Sequence, residues 1–182
     1  MYSAPAGKFI DPSIVVSHFH LRADDVVADF GAGSGHYMKP LALAVGDRGK
    51  VYLCEIQKNL VDALGVRAHE LRLRNVHPVW CDLEAPRGTA LSDNLLDAGL
   101  LSNVLFQCTD KAKALHEIAR VLRKGAKLFV IDWTDSFGGL GPQPGHVITE
   151  SAATTLLTQA GFTCERTFPA GEHHYGIACR KN

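Results

Sequence analysis

The stretch Val26-Val27-Ala28-Asp29-Phe30, followed by Gly31-Ala32-Gly33-Ser34-Gly35, constrains this chain more than any other. An apolar run that gives way to glycine at every second position reads as a buried parallel strand, a tight turn and a helix beginning near His36. Glycine admits backbone torsions closed to other residues and lets a ligand approach the main chain. The helix behind such a turn offers unpaired N–H groups and the positive end of its dipole to whatever lies above. The stretch therefore predicts a nucleotide-cofactor loop at the end of the first strand of an α/β sheet.

The spacing narrows the ligand. Dinucleotide loops follow G-x-G-x-x-G, the third glycine allowing close helix–strand packing. Here His36 stands at that third position and the pattern is G-x-G-x-G. Asp29 lies two residues before Gly31; a fixed carboxylate there repels a pyrophosphate and suits an ammonium or a sulfonium. The string D-F-G-A-G-S-G (29–35) resembles the first motif, (D/E)-x-G-x-G-x-G, of class I S-adenosylmethionine-dependent methyltransferases.

Downstream, apolar runs alternate with amphipathic ones. Strands are expected at 25–30, 50–55, 75–81, 95–101 and 127–132. Helices are expected at about 36–45, at 58–73 with Leu60, Leu64, His69, Leu71 and Leu73 inward, and after Asp110 with Leu115, Ile118, Ala119 and Leu122 on one face, stopped by Gly125. A short helix should start at Asp11-Pro12 and bury Ile14, Val15, His18 and Phe19. Thr149 caps a last helix that Gly161 stops, and strands 162–168 and 173–180 form a hairpin around Pro169-Ala170-Gly171. We expect one domain over residues 1–182: a Rossmann-like, doubly wound, seven-stranded, mostly parallel sheet ending in an antiparallel hairpin, with 1–22 as an N-terminal arm and helix. Ligands of such sheets sit outside the carboxyl ends of the strands, where the strand order switches.

Those strand ends carry polar residues. Glu55 follows Gly35 by twenty residues and can accept both hydroxyls of a ribose. Asp82 can accept from an adenine amine, or cap the loop that follows it, with Leu83 against the ring. Ser102-Asn103 lies beside the glycine loop. These match the remaining landmarks of the methyltransferase family, and the strings G-K-V-Y-L-C-E-I-Q (49–57), R-N-V (74–76), L-S-N-V-L (101–105) and E-I-A-R-V-L-R-K-G-A (117–126) resemble its ubiquinone/menaquinone-biosynthesis branch. In the last string Lys124 replaces that branch's proline and Ala126 its second glycine. The branch's long accessory segments are missing, so the chain looks like a small, generic member.

The resemblance implies S-adenosyl-L-methionine as cofactor and S-adenosyl-L-homocysteine as product. It implies a cofactor site of Asp29, Phe30, Gly31, Ala32, Gly33, Gly35, Glu55, Ile56, Asp82, Leu83, Ser102 and Asn103. The methyl group would pass in line to a small-molecule acceptor, with alignment and exclusion of water supplying most of the acceleration. No catalytic residue is assigned. His146, His173, His174 and Tyr175 are candidates for the substrate pocket, and the loop 133–148, with four glycines and two prolines, is expected to act as a lid. Two other readings stay open: a non-catalytic binder of the same cofactor, and an NAD-dependent oxidoreductase, since Glu55 also fits an NAD ribose. His36 and Asp29 oppose the latter.

Bulk properties exclude other classes. Lys+Arg and Asp+Glu both number 19, which gives no basic surface for nucleic acid or for an anionic membrane. No apolar run approaches the roughly 20 residues of a membrane span, and no signal pattern opens the chain, so a cytoplasmic protein is expected. Five cysteines without a C-x-x-C pair read as free thiols. His18 and His20, two apart, point in different directions on a helix, and no metal site is assigned to them. The oligomeric state is left open.

Overall fold

The computed structural model describes residues 11–136 and 141–182. Seven strands, β1 (Val26–Phe30), β2 (Lys50–Glu55), β3 (Val76–Trp80), β4 (Leu96–Ser102), β5 (Leu122–Trp133), β6 (Phe162–Pro169) and β7 (His174–Lys181), form one sheet in the order β3-β2-β1-β4-β5-β7-β6. The first five are parallel, and β7 runs antiparallel to both β5 and β6. The expected fold class is the observed one.

Helices α1 (Pro12–Ser17), α2 (Met38–Val45), α3 (Lys58–Glu70), α4 (Lys111–Val121) and α5 (Glu150–Gln159) cover the two faces. Side chains alternate along each strand, so Val27, Leu53, Leu100 and Phe129 meet α1, α2 and α3 through Val15, Val16, Leu41 and Leu64, with Phe19 just past α1 in the same cluster. Ala28, Phe30, Leu101, Leu128 and Val130 meet α4 and α5 through Leu115, Ile118 and Leu157 on the opposite face. Burial on both faces explains why these strands read as unbroken apolar runs.

Caps behave as their chemistry dictates. Asp11 accepts from the Ser13 amide at 2.7 Å, Asp110 from Lys113 at 3.0 Å and Thr149 from Ala152 at 3.2 Å. Several boundaries differ from expectation. The glycine turn runs on to Tyr37, so α2 begins at Met38 rather than His36. Helix α3 ends at Glu70, burying Leu64 and Ala68 while His69 and Leu71 face solvent. In α1 the buried stripe is Val15 and Val16, and Ile14 is exposed. Gly125 does not stop α4. The helix ends at Val121 because Leu122 already pairs with Leu96, and Gly125, at φ +77°, takes up the register shift before Lys127 pairs with Ala98. Trp133 belongs to β5, and β7 begins at His174 rather than His173.

Among the described residues no helix is long and apolar enough to cross a membrane.

Candidate functional site

Strand order reverses between β1 and β4, and a cavity of about 530 Å3 opens there at the carboxyl ends of the parallel strands. That volume is ordinary for a small-molecule site. Its floor is the turn after β1. Gly31 and Ala32 donate to the Cys54 carbonyl at 2.8 and 3.0 Å, Gly33 donates to Glu55 Oε2 at 2.9 Å, and Gly35 donates to the Ala32 carbonyl at 2.8 Å. Two glycines are compelled. A Cβ on Gly31 (φ +77°) would stand 2.3 Å from Val104 Cγ2, and one on Gly35 (φ +78°) would stand 2.7 Å from Leu64 Cδ2. Gly33 meets open space, so it is the glycine that leaves room for a ligand.

Asp29 is 2% exposed and lines the cavity. Burial first, and the neighbouring Glu55 charge second, raise its carboxyl to about 7. Glu55, at the end of β2, accepts from Gly33 through one oxygen and from the Gln57 amide, at 2.9 Å, through the other. Each oxygen keeps a further lone pair for a ligand hydroxyl. Asp82 both lines the cavity and caps its loop, Oδ1 accepting from the Glu84 amide at 2.9 Å. Ile56 and Leu83 flank it as apolar wall.

Asn103 follows β4 with φ +58°, a left-handed torsion held by its amide donating to Ile131 at 2.8 Å. Among the described residues its Oδ1 is buried with no hydrogen-bond partner. A buried acceptor without a donor is costly unless a ligand supplies one. The Tyr37 hydroxyl reaches Ser102, and burial raises its pKa.

The remaining expectations divide. Asp29, Gly31, Ala32, Gly33, Glu55, Ile56, Asp82, Leu83, Ser102, Asn103 and His174 all line the cavity. Phe30 does not: the pleat turns it into the α4–α5 core, fully buried. Gly35 does not either, and it serves helix packing against Leu64. His146 (in a 3-10 turn, Pro144–His146), His173 and Tyr175 stand outside it. His173 Nδ1 lies 3.0 Å from Asp135, and Tyr175 is buried in the core, where burial raises its hydroxyl pKa. His174 lines the mouth against the Trp133 ring at 4.2 Å, and burial lowers its pKa. Of the expected lid, Phe137 to Leu140 lie outside the described residues.

With the geometry in view, comparison decides the family. Residues 28–130, more than half of the chain, match the methyltransferase domain family. The chain belongs to that family. Among curated relatives, the ubiquinone/menaquinone biosynthesis C-methyltransferase of Hydrogenovibrio crunogenus is 34% identical over 117 residues, 63% of this chain and 44% of the relative. The enzyme of the same name from Chromobacterium violaceum is 33% identical over 70% of this chain and 53% of its own length. The chain thus spans about half the length of the curated relatives it matches. A solved S-adenosylmethionine-dependent methyltransferase from Aquifex aeolicus superimposes with a TM-score of 0.87 at 28% identity, covering 96% of this chain and 91% of that one. The family match ends at residue 130, within β5, so the hairpin that brings Ala170 and His174 to the cavity lies beyond that match.

Sequence reasoning passes over several lining residues, among them Tyr37, Gln57 and Gln107. It also passes over Asp132, buried at the end of β5, whose oxygens accept from the Phe106 and Trp133 amides at 3.1 and 2.9 Å. Asp29, Glu55 and Asp82, which the sequence marks, stand within two residues of the carboxyl ends of β1, β2 and β3, and Asp132, next to the end of β5, is the same signal repeated.

Proposed function

We propose that the protein is an S-adenosylmethionine-dependent methyltransferase acting on a small molecule seated at the Tyr37–His174 end of the cavity. The observation that carries this reading is that two buried acceptors, the Asp29 carboxyl and the donor-less Asn103 Oδ1, belong to residues lining one cavity together with the glycine turn. Both are acceptors awaiting a cationic donor, which the α-ammonium of the cofactor's methionine portion is.

The rest of the lining fits the same ligand. Amides at Ser34, His36 and Tyr37, at the entrance of α2, meet a carboxylate, because those of Gly31, Ala32, Gly33 and Gly35 are engaged within the protein. Glu55 takes the ribose hydroxyls on its remaining lone pairs, and Asp82 the adenine amine, with Ile56 and Leu83 on the ring. When bound, S-adenosylmethionine supplies a methyl group on a sulfonium leaving group and remains as S-adenosylhomocysteine. The chain's own task is alignment and exclusion of water.

The curated relatives are named for transfer to carbon, and we carry that class over: an electron-rich carbon, as in a hydroxylated ring. Such a carbon gains nucleophilicity when its hydroxyl is deprotonated. His174, kept neutral by burial, lines the acceptor end and is our assignment for that proton. Incubation with methyl-labelled S-adenosylmethionine and a panel of hydroxylated aromatics and quinols tests the reading. Label in a small-molecule product, with one S-adenosylhomocysteine formed per methyl, supports it. Tight cofactor binding with no label in the panel or in a deproteinised metabolite extract would favour a non-catalytic binder.

A further inference from the structure

Two thiols outside the cavity stand close enough to bond. Cys164 on β6 and Cys179 on β7 are directly opposite in the antiparallel ladder, with their Sγ atoms 2.7 Å apart. A disulfide bond is about 2.05 Å long, so closure asks for less than about 1 Å of sulfur movement. The register shifts between Cys164 and Arg166, and such a bulge bends the strand locally. We infer that Cys164 and Cys179 are a modification site, forming a reversible intramolecular disulfide when the protein meets a disulfide oxidant.

The two thiols differ in access, and that sets the order of events. Strand β6 is the edge of the sheet and Cys164 is partly exposed, whereas Cys179, on the interior strand β7, is 1% exposed. Burial, with Cys164 alongside, pushes the Cys179 thiol well up. The Cys164 thiolate attacks the oxidant's S–S bond, giving a mixed disulfide and releasing one thiolate. Cys179 then loses its proton to that thiolate or to water, and its sulfur attacks Cys164 Sγ. The Cys164–Cys179 bond forms, the mixed disulfide breaks, and a second oxidant thiol departs. Two cysteine thiols are oxidised and one external disulfide is reduced to two thiols.

The other three cysteines are less suited. Cys54, Cys81 and Cys108 are all buried in the cavity wall. Contact with Cys81 and burial raise the Cys54 thiol, and burial raises Cys108 to about 11, so thiolate is scarce at both. The proposed link clamps β6 to β7 at one end of the hairpin whose other end supplies Ala170 and His174 to the cavity.

Oxidised glutathione, followed by thiol counting under denaturing conditions and peptide mapping, tests the inference. Wild type should fall from five titratable thiols to three, with Cys164 linked to Cys179 and full recovery in dithiothreitol. Cys164→Ser, on the exposed edge strand, should keep its four thiols after the same treatment. Cys179→Ala, which keeps the attacking thiol and lacks the resolving one, provides a second variant should the serine variant fold poorly: it should stop at the Cys164–glutathione mixed disulfide, with three titratable thiols and no protein–protein link. Five thiols persisting where free dithiothreitol is fully oxidised would overturn the inference. So would a link that maps to Cys54 and Cys81 or between two chains.

Discussion

Replacing Asp29 by asparagine removes a proton equilibrium that the fold has displaced far from its ordinary position. Burial and the Glu55 charge hold the carboxyl at about 7 against an ordinary value of 3.8. At about 1.36 kcal/mol for each pH unit, ionising Asp29 in the folded protein costs ~4 kcal/mol more than in the unfolded chain. The sign follows from which state binds more protons. Between pH ~4 and ~7 the unfolded chain has released this proton while the folded protein retains it. Raising the pH through that window therefore lowers stability, and the loss levels off above 7. The asparagine of the variant has no proton to lose. The stability of Asp29→Asn relative to wild type should thus rise between pH 4.5 and 8 by ~2–4 kcal/mol in urea unfolding. Asp132, raised by burial to about 6, adds a similar slope to both proteins and cancels in the difference. The ionised fraction of Asp29 also climbs from about one tenth at pH 6 to about nine tenths at pH 8, so affinity for a cationic ligand should rise about tenfold in wild type and stay within about twofold in the variant. Parallel stability curves for the two proteins would refute the reasoning.

Glu55→Ala frees the Gly33 and Gln57 amides and removes the carboxylate proposed to hold the ribose; calorimetry should show cofactor affinity lower by about 10- to 100-fold, with stability reduced by ~1–3 kcal/mol. Gly31→Ala forces a Cβ against Val104 and a strained φ of +77°, so it should unfold at least ~1–3 kcal/mol more easily and bind cofactor poorly. Asn75→Ala, remote from the cavity, leaves the Ala42 and Gly46 carbonyls without the Nδ2 donor. It should cost ~1–3 kcal/mol in urea unfolding while cofactor affinity per folded molecule is unchanged.

The sheet was legible because its strands are buried on both faces and punctuated by glycine, aspartate and proline. The strand-end acids were legible because a strand's carboxyl end fixes where Asp29, Glu55 and Asp82 emerge, whatever the loops do. What escaped depended on packing across the molecule. Phe30 and Gly35 lie within the recognisable motif, yet the pleat sends one into the core and Leu64 claims the space beside the other. Gly125 resembles a helix stop, but pairing of Leu122 with Leu96 ends the helix earlier. His173 and His174 are adjacent in sequence, and only the antiparallel register, with His174 opposite Trp133, decides which of them turns toward the cavity. The Cys164–Cys179 pairing likewise needs the hairpin register, which the hairpin's sequence did not determine.

The most direct test of the central claim is titration calorimetry of the wild-type protein with S-adenosylhomocysteine and, separately, with NAD. The account predicts one saturable site for S-adenosylhomocysteine, weakened by Glu55→Ala, and no saturable heat with NAD. Saturable binding of NAD with none of S-adenosylhomocysteine would contradict it.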